Sequence, residues 1–567
     1  MVKKLYTEAS VQDIADAIRE KNGTNNTYKT SEMAAAIEAL SGGRTVVNGV
    51  IEQYKAATTT ISADTFVQFV DSYETAQQQD MGVAQNHTSS GIYKIQAAKA
   101  LKLNDTRLLL VVTGGTSSNP YISPILPGNA YGTYAFVCTV SSSQIVVDVG
   151  QKLSHTYSGQ DDLCLTKPLH PSWASAPYKV LISSGDTAQI LLITNASIPQ
   201  ITQGATVNIF SDIYSDGGRT STVISAASAT DCYVWACGGA NDDDSDNGIV
   251  FARVGLVSGA DSTTIVWQGY TTIEEISGSN DFGTLPTALL QSDVEGAVFP
   301  NAVVAFFAAE SSEHNGETVM ATMLVYYQGT FVRLNEQDLW PMTDSSSGSN
   351  YHYITNIAAE IYSEADEAFF LTFKEYYMGN ITHYGQILRG FDDPTSSVFA
   401  ELNDCESLWG AIHPSTELYS TVCHIPNTNK YVGYVHNLTL GEGSSAGWLR
   451  VYGHFDTHDN SYTPIVDGYT TASSDNMLFN STFESSAAVT TAAVFGDKIA
   501  VLRDRILTTE NWTTPYGVTT LYLEVLDRRV EETDPEEETP IIDGLTKTDC
   551  TVATAGDVWV LNTNESD

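Results

Sequence analysis

Basic residues are scarce in this chain. Its 567 residues contain 27 Lys and Arg against 68 Asp and Glu, which gives a formal net charge of −41. A surface that neutralises phosphates needs clustered cations, so this balance argues against a nucleic-acid partner and against anionic membranes. No stretch reaches transmembrane length without a polar interruption, so we expect no membrane insertion.

Cysteine pairs are also missing. The seven cysteines are scattered, and no CxxC pair occurs among Cys138, Cys164, Cys232, Cys237, Cys405, Cys423 and Cys550. An odd, scattered set argues against a disulfide framework and a thiolate zinc site. Cys138 lies in the apolar run YAFVCTV and is expected to be a small core residue, which suits assembly in a reducing cytoplasm.

Familiar catalytic motifs are absent as well. The sequence contains no GxSxG elbow, P-loop, dinucleotide-binding fingerprint or HExxH helix. This favours a protein that is not an enzyme. A glycosidase stays open, because its paired carboxylates cannot be recognised among so many acidic residues.

Short apolar runs joined by turns dominate what is present. Only 17% of the residues are charged, while 42 Gly and 29 Tyr indicate strands and turns. RLLLVVTGG, GTYAFVCTV and QIVVDVG form one strand group at residues 107–150, and CYVWACGG, GIVFARVGLV and TTIVWQG form another at 232–269. Comparable runs begin near Gln189, Val303, Ala368, Leu418 and Ile499.

These runs make about seven irregular units. A radial array protects the edges of many short strands, so the pattern predicts a mainly β protein built on a β-propeller of about seven irregular blades. A β-helix and a pair of β-sandwiches are the structural alternatives.

The N-terminal residues 8–43 differ from the rest. Ser10 caps a first amphipathic helix with Asp13 as its capping-box partner, and Thr30 or Ser31 opens a second helix that ends at Gly42. A hairpin of two such short helices buries too little surface to be stable alone. It must therefore pack on copies of itself or on a partner.

This hairpin carries a resemblance. VQDIADAIREKNGTNNTYKTSEMAAAIEAL, residues 11–40, resembles a segment of tail, fibre and baseplate-associated proteins of bacteriophages that infect Gram-positive bacteria. IIDGLTKTDCTVATAGDVWVLN near the C-terminus resembles the small β tails of phage fibre proteins. The resemblance implies attachment to other virion proteins through the N-terminal helices, and a homotrimer. A plain αα-hairpin without a docking role is the alternative.

Changes in composition divide the chain. The acidic, Pro-containing stretch VEETDPEEETP ends the repeated region. We predict a helical hairpin at 1–44, a β neck at 45–90, the propeller at 91–530, a linker at 531–540 and a small β tail at 541–567.

The predicted function follows from this organisation and from the resemblance. We expect a phage tail fibre or appendage protein on the virion surface, assembled in the host cytoplasm, that binds a host cell-surface glycan or polymer during adsorption. A structural head-fibre or collar decoration is one alternative. A polysaccharide-degrading tail enzyme with a sialidase-like propeller is another, since Tyr214–Thr220 resembles the Asp-box turn of that family.

Two places offer metal ligands. Asp243, Ser245 and Asn247 fall at the spacing of a calcium loop, although the distal acid of such a loop is missing. His454, Asp456 and His458 alternate at a strand end and share a face that can hold a divalent cation. Ca2+ or another divalent cation is the only cofactor expected, and the alternatives are a solvated hairpin tip and a polar turn.

Aromatic residues punctuate the predicted loops. Exposed Trp and Tyr stack on sugar faces at little cost in conformational entropy. The candidates for a glycan-binding role are Trp340, Trp409, Trp448 and Trp512. Most aromatic residues of a propeller belong to its core, which is the alternative for each of them.

Overall fold

The computed structural model is all β in the part of the chain that it describes. That part comprises residues 3–6, 49–56, 60–61, 66–86, 95–114, 132–157, 163–168, 177–210, 220–228, 230–241, 247–277, 287–291, 302–310, 317–327, 329–339, 352–363, 368–377, 380–389, 400–401, 406–408, 420–426, 428–437, 447–456, 462–469, 479–480, 490–507, 516–533, 553–554 and 557–563. None of these residues is helical, so no membrane-spanning helix occurs among them. The predicted helical hairpin lies outside the described residues.

The strands are numbered in chain order. The first are β1 (Lys3–Tyr6), β2 (Gly49–Ala56), β3 (Thr60–Ile61) and β4 (Phe66–Asn86). Sheet 1 holds β5 (Ile95–Asn104), β6 (Arg107–Gly114), β7 (Gly132–Val140) and β8 (Ile145–Lys152). Sheet 2 holds β9 (Cys164–Thr166), β10 (Tyr178–Ser184), β11 (Thr187–Ile193), β12 (Ile201–Gln203) and β13 (Val207–Asn208). Sheet 3 holds β14 (Thr220–Ala226), β15 (Cys232–Asn241), β16 (Asn247–Val257) and β17 (Val266–Ser277).

The remaining sheets continue in the same way. Sheet 4 holds β18 (Thr287–Gln291), β19 (Ala302–Glu310), β20 (Glu317–Tyr327) and β21 (Thr330–Asp338). Sheet 5 holds β22 (His352–Ser363), β23 (Ala368–Tyr377), β24 (Asn380–Arg389), β25 (Ala400–Glu401) and β26 (Glu406–Ser407). Sheet 6 holds β27 (Ser420–His424), β28 (Lys430–Asn437), β29 (Gly447–Asp456), β30 (Thr463–Tyr469) and β31 (Phe479–Asn480). The last strands are β32 (Thr490–Phe495), β33 (Lys498–Leu507), β34 (Tyr516–Thr533), β35 (Ala553–Thr554) and β36 (Asp557–Thr563).

The chain forms two compact units, 1–74 with 525–567 and 75–524. In the first unit the C-terminal strand β36 pairs antiparallel with β1 and with β2, and β35 pairs with β3. The domain boundaries drawn from the sequence stay predictions.

The second unit is a seven-bladed β-propeller. Sheets 1 to 6 are blades 1 to 6, and each runs in chain order from an inner to an outer strand. Blade 7 places β4 beside β34, β33 and β32. The inner strands β32 and β5 close the ring, where Ala100 N donates to Thr491 Oγ1 at 2.9 Å. The prediction of a mainly β propeller with about seven blades is confirmed.

The middle strands of each blade form the core because each of their two faces is covered by a neighbouring blade. Leu108–Val112 of β6 are almost fully buried on both sides of the strand, so they read as an unbroken apolar run. Cys138 of β7 is a free, fully buried thiol, as the sequence predicted. Outer strands leave apolar side chains exposed, for example Val266 and Val332.

The two ends of the propeller carry different connections. At one end, which we call the turn face, the first strand of each blade connects to the second and the third to the fourth. Several of these connections are compact and fully described: 105–106, 141–144, 194–200, 258–265 and 496–497. Longer ones occur there too, at 167–177, 292–301 and 390–399.

The opposite end, which we call the insertion face, joins the second strand to the third and each blade to the next. Its longer connections are 115–131, 209–219, 278–286, 339–351, 408–419 and 438–446, and the eight-residue connection 508–515 lies at the same end. Among the strand-to-strand connections of this face, only the turn Gly185–Asp186 is both compact and fully described. More of the chain is therefore available for recognition at the insertion face than at the turn face.

Candidate functional site

A buried polar network lies at the insertion face, where blade 1 passes to blade 2. Gln189 of β11 is fully buried, and its Nε2 donates to Ser154 Oγ at 3.0 Å and to Gly204 O at 2.7 Å. Its Oε1 accepts a 3.3 Å hydrogen bond from Tyr157 Oη. Residues 153–163, which join β8 of blade 1 to β9 of blade 2, are called the crossover segment. Because Gln189 uses both amide hydrogens and its carbonyl oxygen, it fixes this segment onto blade 2.

Further hydrogen bonds hold the same crossover segment. Tyr157 N donates to Thr133 Oγ1 of β7 at 2.8 Å, and Ser154 N donates to Gln203 Oε1 at 2.8 Å. Gln203 in turn donates to Lys152 O at 2.9 Å. The described part of the segment, up to Tyr157, is thus bonded to both blades.

The turn between β10 and β11 sits beside this segment. Gly185 takes a φ of 53°, which an L side chain rarely adopts, so glycine suits the first central position of this two-residue turn. Thr187 Oγ1 donates to Ser184 O at 3.0 Å and lies 3.2 Å from His155 Nε2. Asp186, the other central residue, has a buried Oδ1 without a partner among the described residues, and burial raises the pKa of this carboxyl.

Blade 5 buries three titratable side chains near the same face. Lys374 and Glu375 lie near the end of β23, and His383 lies opposite Lys374 on β24. Burial, and then the charge of Lys374, hold the pKa of His383 well below its ordinary value. The imidazole is therefore neutral at physiological pH.

The inner strands carry a third polar group, nearer the turn face. Glu360 of β22 accepts a 2.7 Å hydrogen bond from His424 N of β27, which joins blades 5 and 6. Glu360 is only partly buried as a residue, yet desolvation of its carboxyl raises its pKa to about 7, while the hydrogen bond from His424 opposes that rise. Cys423 beside it is a buried thiol whose pKa is raised by burial and then by the charge of Glu360.

The calcium-loop residues are not brought together in the described part of the chain. Asp243 and Ser245 lie outside the described residues, and Asn247 begins β16 without a described side chain. No cluster of three His, Cys, Asp or Glu side chains suited to a metal ion occurs among the described residues. The calcium loop stays a prediction.

The histidine cluster is described in part. His454 and Asp456 are alternate residues of β29, opposite Ile465 and Thr463 of β30, and both are partly exposed near the turn face. His458 lies outside the described residues. A divalent cation at this strand end also stays a prediction.

The tryptophan candidates all belong to the insertion face by their place in the chain. Trp340, Trp409 and Trp512 lie outside the described residues, and Trp448 is the second residue of β29, without a described side chain. Their role in binding stays a prediction.

A repeated feature nevertheless bears on two of them. Leu339 N donates to Val319 O in blade 4, and Leu408 N donates to His383 O in blade 5; a tryptophan follows each leucine directly. In blade 2 the equivalent bond joins Ile209 N to Asp186 O, and the next residue is Phe210. Phe210 is buried and packs edge-on against Phe251 at 4.3 Å, so this position serves the core in blade 2.

Sequence reasoning missed the polar network of blades 1 and 2. Its members stand in short segments without a motif, and they meet only because the crossover returns against β11. The one signal was the dipeptide Gly185–Asp186 between two apolar runs, which marks a hairpin turn.

No family model matches the chain, and no curated protein matches it. Among solved structures, it is similar to the GH93 α-L-arabinofuranosidase of Fusarium graminearum, with 9% identity over 79% of this chain and 98% of that one and a TM-score of 0.33. A subtype N11 neuraminidase-like protein of A/flat-faced bat/Peru (H18N11) shows 8% identity over 79% and 95%, with a TM-score of 0.26.

A third similar structure is the acylaminoacyl peptidase of Pyrococcus horikoshii, with 9% identity over 73% of this chain and 49% of that one and a TM-score of 0.30. Similarity this low carries no argument about function, and the blade count rests on the strand pairing itself. None of the three is a phage appendage protein, so the phage assignment remains a prediction from the sequence.

Proposed function

We propose that this chain is a virion appendage protein whose propeller binds a host cell-surface glycan through the insertion face. The observation that carries the proposal is the unequal distribution of chain between the two ends of the blades. The insertion face holds the long connections 115–131, 339–351 and 408–419 and the shorter one 508–515, and these four contain three of the four tryptophan candidates. Binding residues concentrate on connections that a rigid scaffold positions.

The charge of the chain fits this role. With a net charge of −41 it repels anionic polymers, so a neutral glycan is the better ligand. The attachment to other virion proteins, the homotrimer and the location on the virion surface rest on the sequence resemblance of residues 11–40. A trimer raises the avidity of weak sugar sites.

A binding assay with matched tryptophan variants tests the proposal. The purified full-length chain is applied to a glycan array and to cell-wall polysaccharides of Gram-positive bacteria, with and without a chelator. We expect saturable binding to at least one glycan, which Trp512→Ala weakens about tenfold because stacking on a sugar face is lost. Trp340→Ala and Trp409→Ala are interpreted only beside thermal melts, since the equivalent position in blade 2 is core.

Trp173→Ala is the matched control, because residue 173 lies in a turn-face connection, 167–177. Glycan binding that survives Trp512→Ala and is lost in Trp173→Ala would place recognition at the turn face and contradict the proposal. No binding by the wild-type chain would leave a structural decoration as the better account. Glycan binding that is lost only when the chelator is added would support a divalent cation at 243–247 or at His454.

A glycoside hydrolase is the second candidate carried over from the sequence, and it requires paired carboxyl groups beside the bound glycan. Reducing-sugar release from the glycans that bind would establish hydrolysis. Binding without release would exclude it for those glycans.

A further inference from the structure

The inner strands of blades 5 and 6 are joined by a hydrogen bond between two ionisable residues, Glu360 and His424. Glu360 Oε1 of β22 accepts from His424 N of β27 at 2.7 Å. The His424 side chain is buried and Glu360 is half-buried, so both lie where a charge is costly. The charge states of these two groups therefore bear on how firmly the two blades are joined.

The hydrogen bonds of the His424 ring fix its tautomer. Nε2 lies 2.6 Å from Thr428 O, and because a carbonyl oxygen can only accept, Nε2 carries the hydrogen. The hydroxyl of Thr428 donates to Ile425 O at 2.8 Å and accepts from Lys430 N at 3.1 Å, which holds this turn in place. Nδ1 is buried without a partner among the described residues. The ring hydrogen is thus directed at Thr428, and Glu360 receives only the backbone hydrogen of His424.

Neither Glu360 nor His424 has an oppositely charged partner among the described residues. The described ion pairs include neither of them, and the His424 ring packs at 4.4 Å against the uncharged ring of Tyr362. A buried acid or base without a counter-charge is more stable in its neutral form. The geometry therefore favours a protonated carboxyl beside a neutral imidazole over an ion pair.

Few other ionisable groups surround this pair. They are Cys423 on β27 itself, Tyr362 on β22, Lys430 and Tyr431 on β28, and Lys99 of β5, whose charge reaches Cys423. The inner strand β32 of blade 7, which contacts β27, contains no ionisable side chain.

Burial shifts the two groups in opposite directions. Desolvation raises the pKa of Glu360 from 4.5 to about 7, and the hydrogen bond from His424 opposes that rise. Desolvation lowers the pKa of His424 below its ordinary value of 6.5, although the carbonyls of Thr428 and Ile361 favour the protonated ring. The ordinary order of a glutamate and a histidine is thereby reversed.

We propose that Glu360 and His424 form a pH-compensated joint between blades 5 and 6, in which the carboxyl takes up a proton in mild acid while the imidazole stays neutral. A protonated carboxyl keeps a carbonyl oxygen that accepts the hydrogen of His424 N, so the bond between the strands persists. This inference goes beyond the proposed function and does not depend on glycan binding.

Linkage explains the compensation. Stability contributed by Glu360 is lost as pH rises from 4.5 through 7, because the folded chain holds its proton longer than the unfolded chain. Stability contributed by His424 is lost as pH falls below 6.5, because the unfolded chain binds that proton first. The two contributions have opposite slopes in mild acid, so the joint stays closed where His424 alone would weaken it.

The first test is an NMR titration of the full-length wild-type chain between pH 8 and pH 5. Histidine rings are labelled with ¹⁵N and glutamate carboxyls with ¹³C, and the resonances are assigned by their absence from His424→Gln and Glu360→Gln. We expect the His424 ring to keep the neutral tautomer with its hydrogen on Nε2 down to pH 5.5. The Glu360 carboxyl should take up its proton near pH 7.

The second test measures the joint itself by hydrogen–deuterium exchange of peptides that contain β27. Protection is corrected for the intrinsic effect of pH and compared at pH 7.5 and pH 5.5. On going to pH 5.5 we expect protection to fall about tenfold in Glu360→Gln and to rise about tenfold or more in His424→Gln. The wild type should change by less than about threefold, since the two effects oppose each other.

His454→Gln is the matched control, because His454 is a partly exposed histidine of the same blade. Its β27 peptides should respond to pH as those of the wild type do. A His424 ring that is protonated above pH 6, or a Glu360 carboxyl that stays ionised to pH 5, would overturn the joint. Equal pH responses of β27 in the wild type and in both joint variants would overturn it too. Should either variant fail to fold, the wild-type titration decides.

Discussion

The two faces of the propeller are built from the same strands, yet they use polar side chains in different ways. At the turn face, Arg107 of blade 1 donates to Ala196 O of blade 2 at 3.0 Å, and Lys179 of blade 2 donates to Gly259 O of blade 3 at 2.8 Å. At the insertion face, the polar groups around Gln189 bond instead to the segment that leads from blade 1 to blade 2. The turn face therefore joins neighbouring blades by direct bonds, and the insertion face joins blades 1 and 2 through a connecting segment.

The inner strands of neighbouring blades are also joined by side-chain bonds. Each inner strand has one backbone edge that no strand of its own blade covers. At three junctions a side chain of one blade bonds to that edge of the next: Cys164 to Thr222 O at 3.2 Å, Glu360 to His424 N, and Thr491 to Ala100 N. These bonds close the ring one blade at a time.

The largest expected effect comes from a backbone contact in the turn-face half of blade 6. A Cβ on Gly453 would overlap the carbonyl oxygen of Ile465 and approach Tyr431 Oη to 2.5 Å. Because a backbone atom cannot move aside, we expect Gly453→Ala to lower the free energy of unfolding by about 3 kcal/mol. Urea denaturation of Gly453→Ala and the wild type measures this loss in the free energy of unfolding.

Gly269→Ala is the control for this prediction. Its Cβ would meet only Phe331, at 3.9 Å, an ordinary contact. Equal stability of Gly453→Ala and the wild type would show that blade 6 is not rigid at this point.

Arg107→Met tests the bonds of the turn face between blades 1 and 2. The change removes the 2.8 Å ion pair with Asp148, together with the hydrogen bond to Ala196 O. The side chains of Arg107 and Asp148 are only 13% and 18% exposed. We expect a loss of about 2 kcal/mol in stability, because Asp148 keeps only Thr139 as a partner on that oxygen. Glycan binding should be unchanged.

Lys102→Met is the matched control, since Lys102 forms a more exposed ion pair with Asp105. We expect this substitution to lower the free energy of unfolding by less than about 0.5 kcal/mol. Similar losses in both variants would refute the special role of the Arg107 bond. Loss of glycan binding in Arg107→Met at unchanged stability would refute the division between the faces.

A smaller effect is expected from pH at Glu360. Its folded-state pKa of about 7 lies above the ordinary value of 4.5, so between these pH values the folded chain holds a proton that the unfolded chain has lost. Stability contributed by this group therefore falls as pH rises from 4.5 to 7. Between pH 5 and pH 8 the wild type should lose about 1–2 kcal/mol more than Glu360→Gln.

Urea midpoints of both proteins at the two pH values measure this difference. Burial also lowers the pKa of His424, but that contribution is present in both proteins and cancels in the comparison. Parallel pH profiles would contradict the assignment of a proton to Glu360.

The sequence predicted the blades better than it predicted the site. Runs such as RLLLVVTGG and CYVWACGG became β6 and β15, because a strand covered on both faces must be apolar throughout. The inner strand Cys164–Thr166 has no such signature, since it is short and only partly buried. The outer strand β4 comes from the start of the chain, where no local pattern shows which blade it completes.

The polar site was beyond sequence reasoning for a related reason. His155 and Asp186 belong to different connections, and only the crossover from blade 1 to blade 2 brings them beside Thr187. The tryptophan candidates were chosen as aromatic residues of predicted loops, whereas Phe210, at the equivalent position of blade 2, is buried in the core. Tyr178, the aromatic residue that begins β10, is likewise buried and accepts a hydrogen bond from Asn104.

Hydrogen–deuterium exchange on the full-length chain, with and without the glycan that binds best on the array, tests the central claim most directly. The account predicts that the glycan slows exchange in peptides of the insertion face and leaves the turn-face connections 194–200 and 258–265 unchanged. Slower exchange confined to the turn-face connections would contradict the account and place recognition at the opposite end of the propeller.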